Sequence, residues 1–209
     1  MARFSFLRVL QFAPLVFGVA VAEGQVILNG SFESPVFAGT TNLAGAFTLG
    51  AWSGVGPSNG GNAGLVVGVD NSLAPYAGSQ HFTFNGGNPS DRGWVEQVLS
   101  TSAGVGYVVE FAVGRAGSGQ GLSLRADVNG SSMGTFTPGA SVGYAVASFS
   151  FVASGSASVL RFTDTSGGNS ISDLYLDGVS VSAVPEAADV GLWAGVVMCG
   201  AVVWRRRRG

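Results

Sequence analysis

The 209-residue chain has no lysine, one cysteine and one histidine, and each shortage removes a class of function. All ten basic residues are arginines, and six of them lie within the first eight or the last five positions. Between Glu23 and Glu186, eleven carboxylates stand against four arginines, a net charge of −7. Because binding to phosphates needs clustered basic side chains, we expect no nucleic-acid partner.

The scarcity of cysteine and histidine narrows the possible chemistry further. Cys199 alone excludes an intramolecular disulfide and a zinc site built from several thiolates. His81 alternates with Phe82 in an apolar strand pattern, so we expect it to point outward as a solvated residue. No G-x-S-x-G motif stands in the strand-to-helix turn that forms the nucleophile elbow of a serine hydrolase. A glycosidase would need two converging carboxylates, which spacing alone does not show. The sequence therefore favours a protein that is not an enzyme.

The N-terminal segment has the features of a secretory signal peptide. Arg3 and Arg8 precede an apolar stretch, which ends in the small residues of Ala20-Val21-Ala22. A charged start, an apolar run and an A-x-A cleavage site are typical of such signals. We predict a signal peptide over residues 1–22, a helix recognised by the Sec export machinery and then removed.

The C-terminal segment ends in an apolar run and a block of arginines. From Val190 to Trp204 a helix would reach ~22 Å, against about 30 Å of hydrocarbon core. Counted over residues 187–204, the segment predicts a marginal transmembrane helix. The four arginines that follow would hold its end in the cytoplasm by the positive-inside rule.

This segment resembles the PEP-CTERM sorting signal. The resemblance rests on three parts in order: the Val184-Pro185-Glu186 motif, the apolar helix, and an arginine cluster formed by Arg205, Arg206, Arg207 and Arg208. The family usually reads Pro-Glu-Pro, whereas Ala187 follows Glu186 here. The resemblance implies processing by an exosortase-type membrane enzyme. The precursor would be anchored briefly in the inner membrane, and the mature domain would lie at the cell surface or outside it; a permanent tail anchor is the alternative.

Residues 23–183 predict a single all-β domain. Short runs alternate apolar and polar residues between clusters of Gly, Ser, Asn and Pro, without a sustained helical period. In YVVEFAV, for example, Tyr107 and Phe111 fall on one face and Glu110 on the other. About eight such strands indicate a two-sheet antiparallel jelly-roll sandwich, with residues 53–64 and 85–93 as surface loops and Asn129-Gly130 as a hairpin turn.

Three stretches, ILNGSFESP, YAGSQHFTFNGG and LYLDGVSV, resemble the galactose-binding-like jelly rolls of carbohydrate-binding modules. The resemblance implies a sandwich fold. It also implies one structural Ca²⁺ ion, held by Glu33 near the first strand and Asp177 in the last strand, so that the ion would join the two ends of the domain. The alternative is that Glu33 caps a turn and Asp177 is a surface residue.

Aromatic side chains are the usual platforms for sugar rings, with polar neighbours for the hydroxyl groups. The candidates are Trp52, Tyr76, Trp94 and Tyr144, with Arg92 and Asp91 as polar partners. Trp52 and Trp94 have core positions as their alternative. We expect an exported, non-enzymatic surface or matrix protein associated with exopolysaccharide. The alternatives are a glycan-specific binding module, favoured by two exposed aromatic residues in one groove, and an enzyme acting on polysaccharide.

Overall fold

The computed structural model describes residues 27–56, 63–70, 72–84, 93–118, 121–167 and 172–184, and these residues form an all-β unit. Its strands are β1 Thr41–Leu43, β2 Gly45–Leu49, β3 Trp52–Gly56, β4 Ala63–Val67, β5 Gln80–Thr83, β6 Trp94–Ser100, β7 Gly106–Gly117, β8 Leu124–Val128, β9 Ser131–Phe136, β10 Gly143–Val152, β11 Ala157–Asp164 and β12 Ser172–Ala183.

The strands form two six-stranded sheets. The first has the order β1-β4-β5-β12-β7-β10, the second β2-β3-β6-β11-β8-β9, and the pairings within both are antiparallel. Only Ala44 separates β1 from β2, so the chain crosses between the sheets there, where Gly45 takes the left-handed φ of 68°. The all-β, two-sheet antiparallel prediction is confirmed.

The described residues form twelve strands where about eight were expected, and β3 and the start of β4 lie where a loop was predicted. Residues 53–56 belong to β3, which pairs with β2 and β6. A side chain at Gly54 would overlap the carbonyl oxygen of Trp94, so glycine here permits close strand approach rather than a flexible loop. The remainder of that predicted loop is described only from Ala63, where β4 begins, and residues 85–92 lie outside the described part of the chain.

The core lies between the two sheets and is built from the inward faces of the strands. On β7 the alternation predicted from sequence is confirmed, since Tyr107, Val109 and Phe111 are buried and Glu110 is exposed. Phe111 meets Phe162 of β11 edge to face, with ring centroids 4.9 Å apart, and this pair joins the sheets. Asn129 and Gly130 form the β8–β9 turn as expected, both with positive φ.

A smaller apolar cluster lies outside the core, on the outer face of the first sheet. The chain between β4 and β5 folds back over this face and brings Leu73 against Ala116 and Tyr175, with Tyr144 packed at the side. All three central residues are at most 4% exposed. We call the described residues 68–70 and 72–79 the covering segment, because they shield the side chains beneath them from solvent.

The predicted targeting segments fall largely outside the described residues. Positions 1–26 and 185–209 are not described, and they include the proposed signal peptide, Pro185, Glu186, the apolar helix and the arginine cluster. Val184 is described: its amide donates to the carbonyl of Gly106 at 2.8 Å, which extends β12 by one residue. Within the described ranges, no helix has the length and apolar character needed to cross a membrane.

Candidate functional site

A line of polar side chains crosses the outer face of the second sheet. Strand register places Glu96 beside Ser53 and Arg161, and Asp127 beside Arg161 and Ser132. The five residues therefore stand level on five adjacent strands, and we call them the polar row. With neighbouring strands about 4.8 Å apart, the row is about 19 Å long. Their chain neighbours Val95, Phe162 and Ala126 point the other way into the core.

Ion pairs hold the charged members of the polar row in place. Arg161 donates through Nη2 to Glu96 Oε2 at 2.5 Å and through Nε to the same oxygen at 2.7 Å. Its guanidinium carbon lies 4.0 Å from the ring centroid of Trp94, a cation–π contact. Arg125 donates through Nε to Asp127 Oδ2 at 2.9 Å. Because both arginine side chains are about two-fifths exposed, these pairs orient the groups more than they stabilise the fold.

Three members of the polar row, Glu96, Asp127 and Arg161, line an open groove. The groove has a volume of about 550 Å³. On β6 and β11, Val98 and Val159 are register partners next to the row, and Val98 is 62% exposed. Val159 is thus the apolar residue of the groove, and Val98 lies beside it. The lining residues are Glu96, Arg125, Asp127, Asn129, Gly130, Val159 and Arg161.

The predicted aromatic platforms do not share one groove. Trp52 is fully buried, stacks on Phe32 with centroids 5.2 Å apart, and donates its indole N–H to the carbonyl of Asn29, so it is a core residue. Trp94 is half-buried on the second sheet, where the guanidinium of Arg161 stacks on its ring. Tyr76 is 51% exposed and contacts Tyr144 on the first sheet.

The two polar partners predicted for these aromatic residues, Arg92 and Asp91, lie outside the described residues.

On the first sheet, His81 is the main departure from the sequence prediction. It is fully buried, so the expectation of a solvated strand residue is wrong. It does lie on the outer face, but the segment between β4 and β5 covers it. Its Nδ1 is 2.6 Å from the hydroxyl of Tyr144, and its ring centroid is 4.5 Å from that of Tyr175, whose hydroxyl donates to Asp70. We call these four residues the buried tyrosine cluster.

Burial dominates the electrostatics of the buried tyrosine cluster. It lowers the pKa of His81 to about 4, and the nearby Asp70 carboxylate opposes this shift only in part. Burial also raises the pKa of the Tyr144 and Tyr175 hydroxyls well above the ordinary value. The Tyr144 oxygen also accepts a backbone hydrogen bond from Tyr76. His81 Nε2 has no hydrogen-bond partner among the described residues.

Glu33 and Asp177 face the same short stretch of backbone. Glu33 Oε1 accepts the amides of Ser79 and Gln80 at 2.9 and 2.8 Å. Asp177 accepts the amide of Ala77 at 2.9 Å on Oδ2 and that of Gly178 at 2.6 Å on Oδ1. Asp177 is fully buried, so it is not a surface residue.

The two carboxylates also interact with each other. Burial raises the pKa of Asp177 to about 6, and the charge of Glu33 adds to the rise. With a further one from Tyr76 to Asp177, five amide hydrogen bonds use only part of the acceptor capacity of the two carboxylates, so the oxygens suit the ligand chemistry of Ca²⁺. No third His, Cys, Asp or Glu completes a metal-binding group in the described ranges, so backbone oxygens would have to supply the other ligands.

No protein-family model matches the sequence, and no curated protein sequence matches it either. Solved structures do match. A cyclase from Fischerella sp. TAU, in complex with 4-(1H-indol-3-yl)butan-2-one, gives a TM-score of 0.59 at 17% identity over 78% of this chain and 98% of that chain. An arabinose-bound α-L-arabinofuranosidase gives 0.50 at 13% identity, over 77% of this chain and 26% of that chain.

A family 35 carbohydrate-binding module from Clostridium thermocellum also matches, with a TM-score of 0.41 at 17% identity over 56% of this chain and 86% of that chain. At these identities the likeness concerns the β-sandwich fold alone. The predicted sandwich is confirmed at that level, and the PEP-CTERM resemblance stays a prediction.

Proposed function

We propose that this chain is an exported, non-enzymatic protein whose sandwich binds a polysaccharide along the polar row of the second sheet. The observation that carries the proposal is the row itself, with five outward polar side chains at one level of five strands beside a groove of about 550 Å³. A polymer lying across the strands would meet Ser53, Glu96, Arg161 and Ser132 in turn. At the level of β8 it would meet Arg125, the ion-pair partner of the buried Asp127.

The chemistry of the row suits sugar hydroxyl groups. Carboxylates accept hydrogen bonds, guanidinium groups donate them, and serine hydroxyls do both. The ion pairs of Arg161 and Arg125 already restrict long side chains that would otherwise lose rotamer freedom on binding. The exposed Val98 and the half-buried Val159 would take the apolar C–H face of a sugar ring.

The balance of charge favours a neutral polysaccharide. Within the groove two carboxylates match two arginines, and each guanidinium has a carboxylate partner. A uronate or sulfate group would therefore meet no surplus cation and would have to displace a carboxylate. The acidic charge of the domain acts in the same direction, since it repels polyanions.

Export and sorting form the second part of the proposal, and the sequence supports them. Residues 1–22 would direct Sec-dependent export, and Val184, Pro185 and Glu186 with the arginine cluster would present the precursor to an exosortase-type enzyme. The mature domain would then associate with exopolysaccharide at the cell surface or outside it.

A structural Ca²⁺ ion at Glu33 and Asp177 is the third part. The charge of Glu33 contributes to the raised pKa of Asp177, and a shared divalent cation would offset this repulsion. The ion would fasten the segment before β1 to the last strand. Its contribution would be to stability, since both residues lie on the first sheet side of the sandwich and the polar row lies on the second.

The binding proposal is tested by a double variant, Glu96→Ala/Arg161→Ala, which removes one ion pair without leaving a lone charge. The full chain in detergent is titrated with three neutral polysaccharides, a β-1,3-glucan, a xylan and a galactomannan, and with alginate as the polyanion. We expect at least one neutral polymer to bind and the variant to weaken it by at least about tenfold. The matched control, Glu110→Ala on the exposed outer face of the first sheet, should bind like the parent.

Two results would contradict this part of the account. One is the absence of binding to every polymer tested, and the other is equal affinity of parent and double variant. Release of new reducing ends from the same polymers, abolished in the double variant, would instead show an enzyme and overturn the non-enzymatic proposal.

A further inference from the structure

The strand β10 forms one edge of the first sheet and belongs to a long uncharged segment. Residues 128–160 contain no Asp, Glu, Lys or Arg. All ten residues of β10, from Gly143 to Val152, pair with β7 in an unbroken register. No strand in the described ranges pairs with the other edge of β10. A row of main-chain donors and acceptors therefore faces outward along the full strand.

Natural sheets protect such edges, and β10 has none of the usual devices. Edge strands are commonly kept short, bulged, charged or interrupted by proline. At the opposite edge of the same sheet β1 is only three residues long. By contrast, β10 is ten residues long, has no proline or charge, and shows no register shift against its neighbour.

Apolar side chains accompany the open edge. On the inner face of β10, Ala145, Ala147 and Phe149 pack against the core but remain partly exposed. On the outer face Val146 is 54% and Val152 is 70% exposed. Exposed apolar surface beside unpaired backbone groups is typical of an edge that a further strand covers.

We propose that β10 of one copy pairs antiparallel with β10 of a second copy about a two-fold axis, so that the two first sheets become continuous. In such a pair each copy presents the same main-chain donors and acceptors to the other, as a closed two-fold symmetric dimer requires. A fully extended ten-residue strand offers a contact about 33 Å long.

The charge distribution argues for a second copy rather than an unlike partner. An uncharged edge carries no charge that would attract an oppositely charged protein, and it does not repel the same edge of a second copy. The remainder of the domain is acidic and repels other copies, which confines a self-contact to the uncharged segment 128–160. Within it, β10 is the longer edge strand, with ten residues against six in β9. The proposal does not depend on glycan binding.

The test places charges on both sides of the strand midpoint. In the double variant Val146→Lys/Ser150→Lys, the lysines of two copies whose β10 strands pair near their midpoints would lie close together and repel each other. The glutamates of Val146→Glu/Ser150→Glu would repel each other in the same way. The control, Val36→Lys/Ser100→Lys, adds the same charge at exposed positions away from β10. The mass of the full chain in detergent is measured by sedimentation equilibrium.

We expect the parent and the control to be dimers, and each β10 double variant to lose dimerisation by at least about tenfold in Kd. A 1:1 mixture of the lysine and glutamate variants should form dimers again, which also shows that both variants are folded. A monomeric parent would overturn the proposal, whether the edge is covered by another segment of this chain or by an unlike protein. A dimer that persists in the lysine variant would overturn it as well.

A cross-linking measurement locates the contact independently. In a Cys199→Ala background, Ser148→Cys should be joined between copies by a flexible bismaleimide, since opposed Cβ atoms in antiparallel strands are about 5 Å apart. Val36→Cys in the same background should not. Equal yields at both positions, or none at Ser148, would contradict the proposed interface.

Discussion

The burial of His81 makes a quantitative prediction for acid stability. In the folded chain the pKa of His81 is lowered to about 4 from an ordinary 6.5, mainly by burial. At about 1.4 kcal/mol per pH unit, this difference corresponds to about 3.5 kcal/mol once the folded form is fully protonated. The unfolded chain takes up the proton near pH 6.5 and the folded chain does so only near pH 4. The stabilisation is therefore complete above pH 6.5, is lost as the pH falls towards 4, and changes no further below that.

Other groups titrate in the same pH range. The contribution of His81 is therefore measured as a difference between the parent and a variant that lacks this side chain. Because the pKa of Asp177 is raised to about 6, its protonation favours the folded state as the pH falls towards 3.8, which is the opposite sign. Asp173, whose pKa is raised by burial and by the charge of Asp70, acts in the same direction as Asp177. The parent is therefore compared with His81→Phe, which keeps an aromatic ring under the covering segment and removes the titration.

The assay is urea unfolding of both proteins at pH 7, 6, 5 and 4, followed by tryptophan fluorescence. We expect the free energy of unfolding of the parent, relative to His81→Phe, to fall by about 3 kcal/mol between pH 7 and pH 4. A relative free energy that stays constant over this range would refute the reasoning. It would mean that His81 has the same pKa in both states and is not buried under the segment between β4 and β5.

Three further predictions concern other parts of the molecule. Trp52→Ala should lower the free energy of unfolding by about 3–5 kcal/mol, as measured by denaturant titration, because a buried ring and its hydrogen bond to Asn29 are lost; a loss below about 1 kcal/mol would contradict its core position. Ca²⁺ at one hundred times its Kd should stabilise the parent by about 2.7 kcal/mol in thermal unfolding and leave Glu33→Gln/Asp177→Asn unchanged, and an equal response of both proteins would exclude the site. Mass spectrometry of the mature protein should find a C-terminus near Glu186, whereas an intact Gly209 would contradict sorting and favour a permanent anchor.

The sequence predicted those features that depend on local alternation. It assigned the inward residues of β7 and the hairpin at Asn129 and Gly130, because a strand places every second side chain on the same face. The proximity of Glu33 and Asp177 was implied by resemblance to other sandwiches. Neither spacing nor periodicity joins residues 144 positions apart in the chain.

The error at His81 and the omission of the polar row have different physical causes. For His81, periodicity assigns a face of the strand and not what covers it. His81 does lie on the outer face of its strand, yet a distant segment buries it. The polar row was missed because Ser53, Glu96, Asp127, Ser132 and Arg161 come together only through the register of five strands. The alternation of Arg161 or Glu96 with apolar residues along its own strand does not show that a residue of opposite charge lies beside it on the next strand.

The central claim is that the outer face of the second sheet binds a polysaccharide, and chemical-shift mapping tests it most directly. Backbone amides and arginine Nε–H signals of the full chain in micelles are followed during titration with the neutral polymer that binds best. We expect the largest changes at Ser53, Glu96, Asp127, Ser132 and Arg161, with little change around Tyr76 and Tyr144 on the other sheet. Changes concentrated on the first sheet, or spread evenly over both sheets, would contradict the account.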